Sequence, residues 1–370
     1  MDIHAFLAPP ADISRRKGPH DRIVMSSRVR LARNLKEAAF PGWAKKPERV
    51  RVLDLIRPAI EGLAEMKDSF SESMDSLTTL DKQILVERHL ISREHAAKSA
   101  GSGLVLNHEE TLCFMINEED HLRMQALRPG LQLRQAWTAI DQADSQLEKT
   151  LEYAFNSDWG YLTACPTNIG TGIRVSAMLH LPGLVLAEQI NPIIQSVNKL
   201  GLAVRGLYGE GTEALGNVFQ VSNQMTLGES EVAIVERLEK VLAQIIEHEE
   251  NARASLLEKK PKMVYNHIGR AYGILANAHS ISSKETMNLL SLMRLGVDVG
   301  LFAGVDRALV DELFILTQPA HLQKQHSEKL SAEERDLLRA DMVRERLRPV
   351  SRPIAKPPAA SGGALDKHEK

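Results

Sequence analysis

The chain has 370 residues, 48 of them Asp or Glu and 46 Lys or Arg, which is enough for two domains with a sizeable core. The near-cancelling charge gives no overall field for nucleic acid or membrane, so any polyanion site has to be built from local arginines. The two cysteines, Cys113 and Cys165, form no CxxC pattern, the polar N-terminus has no signal core and no apolar run reaches membrane-span length, all of which speaks for a reduced, cytoplasmic protein without a cysteine-based zinc site.

In chain order, residues 1–20 read as a loose arm and RIVMSSRVR at 22–30 as a strand. Residues 47–66 form a helix opened by Pro47 and kinked at Pro58, and a second helix covers 81–90. Strands are expected at 103–106, 111–116, 160–165, 173–179, 203–207 and 218–225, with helices near 131–155 and 184–200. This order predicts an α+β domain over one antiparallel sheet flanked by helices. From residue 231 the texture is helical, with a long amphipathic helix at 231–257 and helices only from 260 to 347. Ser282-x-x-Glu285 and Ser331-x-x-Glu334 read as capping boxes and Asp306 as a further helix start. Residues 348–370, rich in Pro, Ala, Ser and Gly, read as a disordered tail. The expected units are therefore an arm (1–20), a sheet domain (21–250), a helical domain (251–347) and the tail.

Four stretches carry chemistry. In Ser26-Ser27-Arg28-Val29-Arg30, strand alternation puts Arg28 and Arg30 on one face, where two guanidinium forks suit phosphate oxygens or make a basic strand edge. In Asn117-Glu118-Glu119-Asp120-His121-Leu122-Arg123, one carboxylate can face a reactive centre while Asp120 caps a helix whose first turn carries Arg123. Alternation forbids Glu118 and Glu119 from facing the same site, and the stretch also describes a solvated acidic turn. In Cys165-Pro166-Thr167-Asn168-Ile169-Gly170-Thr171-Gly172-Ile173-Arg174, the glycines let backbone amides approach an anion, and Cys165 is either an activated thiol near arginines or a structural cysteine before a turn. Cys113, inside an apolar run, takes the structural role. In Arg205-Gly206-Leu207-Tyr208-Gly209-Glu210-Gly211, glycines flank Glu210 in a loop able to bring a carboxylate over a substrate, or in a plain exposed hairpin. No P-loop or protein-kinase signature is present, so a phosphoryl transfer here has to use arginines.

In order and spacing, SSRVR, NEEDHLR, CPTNIGTGIR and RGLYGEGTEALG resemble the ATP:guanido phosphotransferase (phosphagen kinase) family, and more closely its bacterial branch that phosphorylates arginines in proteins. The resemblance implies ATP with Mg²⁺ as co-substrate. It implies that Arg28, Arg30, Arg123, Arg174 and Arg205 hold the ATP phosphates and His89 the adenine side. Glu119 and Glu210 would bind and activate the guanidinium, with Cys165 as the family's active-site cysteine. Tyr208 stands where many phosphagen kinases carry a further arginine, as in the protein-arginine branch. It further implies protein substrates with exposed arginines, marked for regulation or degradation in a stress response. A companion activator, a Clp-type protease or chaperone, and a homodimer through the helical domain are the partners it suggests.

Small-molecule guanidino kinases of the family carry a helical domain before the core, whereas here a helical domain follows it. That domain contains Arg335-Asp336-Leu337-Leu338-Arg339-Ala340, with Arg335 and Arg339 one turn apart. Alone this is a charged helix face; the resemblance implies an allosteric phosphoarginine site formed by Arg335, Asp336 and Arg339. Two other readings are a small-molecule guanidino kinase, opposed by the domain order, and a non-catalytic phosphoarginine-binding adaptor, opposed by intact Glu119 and Glu210.

Overall fold

The computed structural model describes residues 3–7, 17–206 and 214–354. Its centre is an eight-stranded sheet, every neighbouring pair antiparallel, in the order β2-β3-β4-β5-β1-β8-β10-β9. The strands are β1 (Val24–Arg33), β2 (Phe70–Ser73), β3 (Gly103–Leu106), β4 (Leu112–Ile116), β5 (Leu122–Pro129), β8 (Ile173–His180), β9 (Leu202–Gly206) and β10 (Val218–Asn223). A small hairpin, β6 (Phe155–Asn156) with β7 (Gly160–Tyr161), stands apart. The sheet domain's helices are α1 (Lys46–Glu61), α2 (Thr79–Glu87), α3 (Arg93–Ala96), α4 (Leu133–Leu147), α5 (Pro182–Leu186) and α6 (Ile190–Lys199). The helical part comprises α7 (Glu231–Lys259), α8 (Pro261–Asn277), α9 (Ser283–Asp298), α10 (Arg307–Leu316), α11 (Pro319–Lys324) and α12 (Ala332–Leu347). No helix among the described residues is long and apolar enough to cross a membrane.

Strand alternation gives the sheet two unlike faces. One set of side chains, including Val29, Leu31, Met124, Ala126, Val175, Ala177 and Val221, packs with apolar residues of α1, α4 and α7 into the main core. The opposite face is apolar towards β3 and β4, where Leu104, Leu106, Cys113 and Met115 pack against Ile84 and Leu85 of α2. Along β5, β1 and β8 that face carries Arg123, Gln125, Arg28, Arg30, Arg174 and Ser176 instead. It is left as the floor of a cleft.

Several sequence expectations are corrected. Residues 122–129 form strand β5 rather than a helix: Leu122, Met124 and Ala126 alternate into the core. The helix expected at 184–200 is two helices, separated where Glu188 adopts φ 58°. The strand expected at 160–165 ends at Tyr161, and β2 was not foreseen. The N-terminal arm is not wholly loose, because Phe6 is fully buried edge-on to Phe70, with centroids 5.3 Å apart. Residues 348–354, expected to belong to a disordered tail, are held in place: Val350 is buried in the helical core and the Ile354 amide donates to the Leu301 carbonyl at 2.8 Å. Ser331 does form a capping box with Glu334, and Ser282 and Asp306 accept from the first-turn amides of α9 and α10.

Candidate active site

A cleft of about 1000 Å³ opens over the polar sheet face. Arg28, Arg30, His89, Glu119, Arg123, Cys165, Arg174 and Arg205, drawn from separate parts of the sequence, all line it. Register explains the convergence. Arg30 of β1 stands directly opposite Arg174 of β8, and Arg123 of β5 opposite Ala32. Arg205 of β9 pairs with Gln220 of β10, whose Oε1 accepts from Arg28 at 2.6 Å.

Like charges opposite one another on a sheet are destabilising, and the electrostatics bear that strain. Burial, followed by the charges of Arg123 and Arg174, pushes Arg28 down to about 10. Burial and then Arg28, Arg123 and Arg174 pull Arg30 well below the usual guanidinium range, with Glu118 opposing. Arg174 is lowered by burial and then by Arg205 and Arg123. The Nε atoms of Arg30 and Arg174 are buried without a hydrogen-bond partner. Buried donors without acceptors, on charges that repel one another, are what a bound polyanion relieves.

Asn117 adopts φ 55° and its amide donates to the His121 carbonyl at 2.9 Å, so residues 117–121 form a tight loop between β4 and β5. Because the loop has left the strand, Glu118 and Glu119 both line the cleft, contrary to the alternation argument. Their environments differ. Glu118 is buried and accepts from Arg123 at 2.6 Å and from Ser92 at 2.5 Å. Burial would raise its pKa, but the Arg123 charge and these bonds outweigh it and hold the carboxyl at about 2. Glu119 is exposed, and partial burial followed by Asp120 and Glu118 raises its pKa. Asp120 caps no helix: its Oδ1 accepts from the Asn34 side chain and the Ala164 amide, both at 2.6 Å, which ties this loop to the one bearing Cys165.

That second loop is anchored from beneath by Arg33, which donates to the Thr171 carbonyl at 2.9 Å and to Asp144 at 2.6 Å, with its guanidinium 3.6 Å from the Tyr161 ring centre. Gly172 is required here, since at φ 65° a Cβ would stand 2.6 Å from the Ala32 carbonyl oxygen. Cys165 is half-buried, with Sγ 3.1 Å from Thr167 Oγ1. Cys113 is fully buried, donates to the Leu90 carbonyl, and burial pushes its thiol far up. Glu210 and Tyr208 lie outside the described residues.

His89 lines the cleft near Arg28, in the left-handed conformation (φ 59°). It also lines a smaller apolar pocket with Arg28, Met25, Met178, Met287 and Phe314, the last two contributed by α9 and α10. Burial and then Arg28 hold its imidazole at about 4, so it is neutral at neutral pH. Sequence reasoning missed three parts of this site. Glu118 orients Arg123, Arg33 anchors the cysteine loop, and the helical part walls the His89 pocket. Only Arg33 had a local signal, as the last arginine of SSRVRLAR.

The Arg335–Arg339 motif lies on α12, outside the cleft. Arg339 is buried and already engaged: it donates to the carbonyls of Thr317 (2.8 Å) and Ile281 (2.9 Å) and pairs with Asp336. Arg335 is half-buried and donates to the Leu330 carbonyl at 2.7 Å. The two are therefore not an open pair of phosphate forks as expected.

Residues 51–252 match the family model of the ATP:guanido phosphotransferase C-terminal catalytic domain, and residues 261–358 that of the protein-arginine kinase McsB C-terminal domain. A protein-arginine kinase of Halothermothrix orenii is 46% identical over 331 residues, spanning 90% of this chain and 95% of the relative. One of Bacillus licheniformis is 46% identical over 336 residues, spanning 90% and 92%. Among solved structures, lombricine kinase matches with a TM-score of 0.56 at 26% identity, over 67% of this chain and 71% of its own. A duplicated taurocyamine kinase of Schistosoma mansoni shares the fold, with a TM-score of 0.57 at 22% identity over 80% of this chain and 49% of its own.

Proposed function

This chain belongs to the ATP:guanido phosphotransferase family, on its protein-arginine kinase branch, and from that premise we propose how its cleft transfers the γ-phosphoryl group of ATP to arginine side chains of proteins. The observation that carries the reading is the row of mutually repelling, incompletely satisfied arginines on the floor of the cleft, with an exposed carboxylate beside it. Arg28, Arg30, Arg123, Arg174 and Arg205 hold the triphosphate, with Mg²⁺ arriving on ATP as part of the substrate. His89, neutral and next to an apolar pocket, receives the base.

A free guanidinium titrates so far above neutral pH that its nucleophilic neutral form costs roughly 9 kcal/mol at pH 7. Glu119 lowers that cost by gripping the planar group and accepting its proton as the N–P bond forms and the bond from Pγ to the bridging oxygen of ADP breaks. Its raised pKa makes it a better base than Glu118, which is committed to Arg123. Glu210 is the second carboxylate by resemblance, and Cys165 lines the same cleft as Glu119. Charge developing on the transferring group meets donors already in place, so little reorganisation is needed.

The test is purified protein with Mg-ATP and an unfolded basic protein. Acid-labile label on arginine is the expected result; label mainly on serine, or on free arginine in competition, removes the reading. We assign the transfer to residues 21–250 and regulation to residues 251–347, by partners and modification states that follow the family. A homodimer through the helical part is checked by light scattering, and a monomer at micromolar concentration would remove it. For the phosphoarginine site, Arg335 and Asp336 are half-buried while Arg339 is buried, with Nε and Nη1 bound to Thr317, Ile281 and Asp336, so Arg335 is the member best placed to lead a ligand in. Calorimetry with phosphoarginine should therefore lose its signal in Arg335→Ala; equal binding by that variant would end this assignment.

A further inference from the structure

Trp43 is the most exposed of the large apolar side chains that line the cleft, and the transfer chemistry leaves it unused. It lines the same cleft as Glu119 and Arg174, yet 89% of it is exposed, the highest value among the exposed large hydrophobics described. An indole held in water forgoes the stabilisation its burial would bring, and single exposed apolar residues are ordinary on a surface. Here, however, the indole is presented on a fixed turn. The Trp43 and Ala44 amides donate to the Phe40 carbonyl at 2.8 and 2.9 Å, and the Ala39 amide donates to Glu48 at 3.1 Å.

The same turn is fastened to the loop that carries Glu119. His121 Nδ1 accepts from the Leu35 amide at 3.0 Å, which leaves Nε2 as donor to the Ala39 carbonyl at 3.0 Å, and Phe40 packs edge-on to the His121 ring with centroids 6.1 Å apart. Trp43 and Glu119 are thus held on two loops braced through one histidine. A guanidinium that belongs to a protein brings its backbone with it, about 6 Å away along the arginine side chain. With the guanidinium at Glu119, the flanking polypeptide has to leave the cleft along its lining, where Trp43 offers an exposed indole.

We infer that Trp43 is a docking platform for the polypeptide flanking the target arginine, and that it engages an apolar side chain of an extended segment. This rests on the reading that the cleft phosphorylates arginines in proteins. Aromatic residues with a large rigid face supply such contacts at low entropic cost.

The test uses two decapeptides with one central arginine, flanked by leucines in one and by glycines in the other, with label transfer from Mg-ATP followed for both. Trp43→Ala should raise KM for the leucine peptide about tenfold, change kcat little, and abolish the preference for leucine over glycine. Trp43→Phe should restore the preference, and the melting temperature of both variants should match the parent because the side chain is so exposed. A preference that survives Trp43→Ala, or a fall in kcat that is equal for both peptides, overturns the inference while leaving the kinase reading intact. If the parent enzyme labels neither peptide on arginine, the kinase reading fails, and the platform with it.

Discussion

Two arginine clusters in this molecule use the same side chain to opposite ends. In the seam between the sheet and the helical part, Arg253, Arg294 and Arg307 meet acids. Arg253 pairs with Glu249 at 2.6 Å, Arg294 with Asp311 at 2.6 Å, and Arg307 with Asp298 at 3.0 Å and Asp21 at 2.7 Å. Their remaining donors find backbone, as where Arg294 reaches the carbonyls of Arg22 and Asp21 at 2.9 and 3.0 Å. On the cleft floor, Arg28 and Arg174 reach only neutral oxygens of Gln220, Ser176 and Ser222, and Arg28, Arg30 and Arg174 each feel the charge of neighbouring arginines. The seam is electrostatically complete as it stands, whereas the floor keeps buried donors on Arg30 and Arg174 without acceptors. Arginine burial therefore marks a function only where partners are missing.

The sharpest way to break that contrast is to remove one arginine from each cluster. Arg294→Ala strands buried acid and carbonyls and should cost about 3–5 kcal/mol in denaturant unfolding without nucleotide. Arg30→Ala removes a charge repelled by three neighbours, so its cost should stay below about 1 kcal/mol, or stability should rise, while ATP binding weakens. An Arg30→Ala protein as unstable as Arg294→Ala would mean that the floor is structural.

The two adjacent glutamates repeat the contrast on a smaller scale. Glu119→Gln should cut turnover about 10²-fold with nucleotide affinity retained if, as proposed, the exposed carboxylate acts on the guanidinium. Glu118→Gln should act through Arg123, raising the KM for ATP about tenfold with a smaller loss in kcat. Steady-state kinetics in both substrates separates the two, and a Glu118→Gln defect confined to kcat would remove the positioning role.

How far the sequence foretold this site depends on whether a contact is local. The arginines on β1 were legible because alternation within one strand puts Arg28 and Arg30 on one face, and the core strands β3, β4 and β8 were legible as apolar runs. β5 was misread although Leu122, Met124 and Ala126 alternate, because Asp120 looked like a helix cap. Its true partners, Asn34 and the Ala164 amide, lie 86 and 44 residues away. Arg339 was misread for the same reason, since its carbonyl partners Ile281 and Thr317 lie 58 and 22 residues off. Convergence of the motifs on one cleft came from family resemblance, which carries tertiary information that periodicity does not.

The smallest effect tests whether the charge of the cleft reaches His89. Burial and then Arg28 hold this imidazole at about 4 against an ordinary 6.5. The folded pKa lies below the unfolded one, so the unfolded chain takes the proton first as pH falls. The contribution to stability is full above pH 6.5 and is lost as pH drops through 4. His95, also held at about 4, loses stability over the same window, and His121 and His180 are lowered too. His89→Gln should therefore flatten the fall in stability between pH 6.5 and 4 without abolishing it. The change is at most one proton, about 1.4 kcal/mol per pH unit, and less because the side chain is only half-buried. Bound ATP should shrink the difference between parent and variant, since a triphosphate on Arg28 offsets the charge that depresses His89. Denaturant titrations across that pH range, with and without nucleotide, read both effects. An identical slope in parent and variant would place the acid sensitivity in His95 and the other buried histidines and separate His89 electrostatically from the arginine floor.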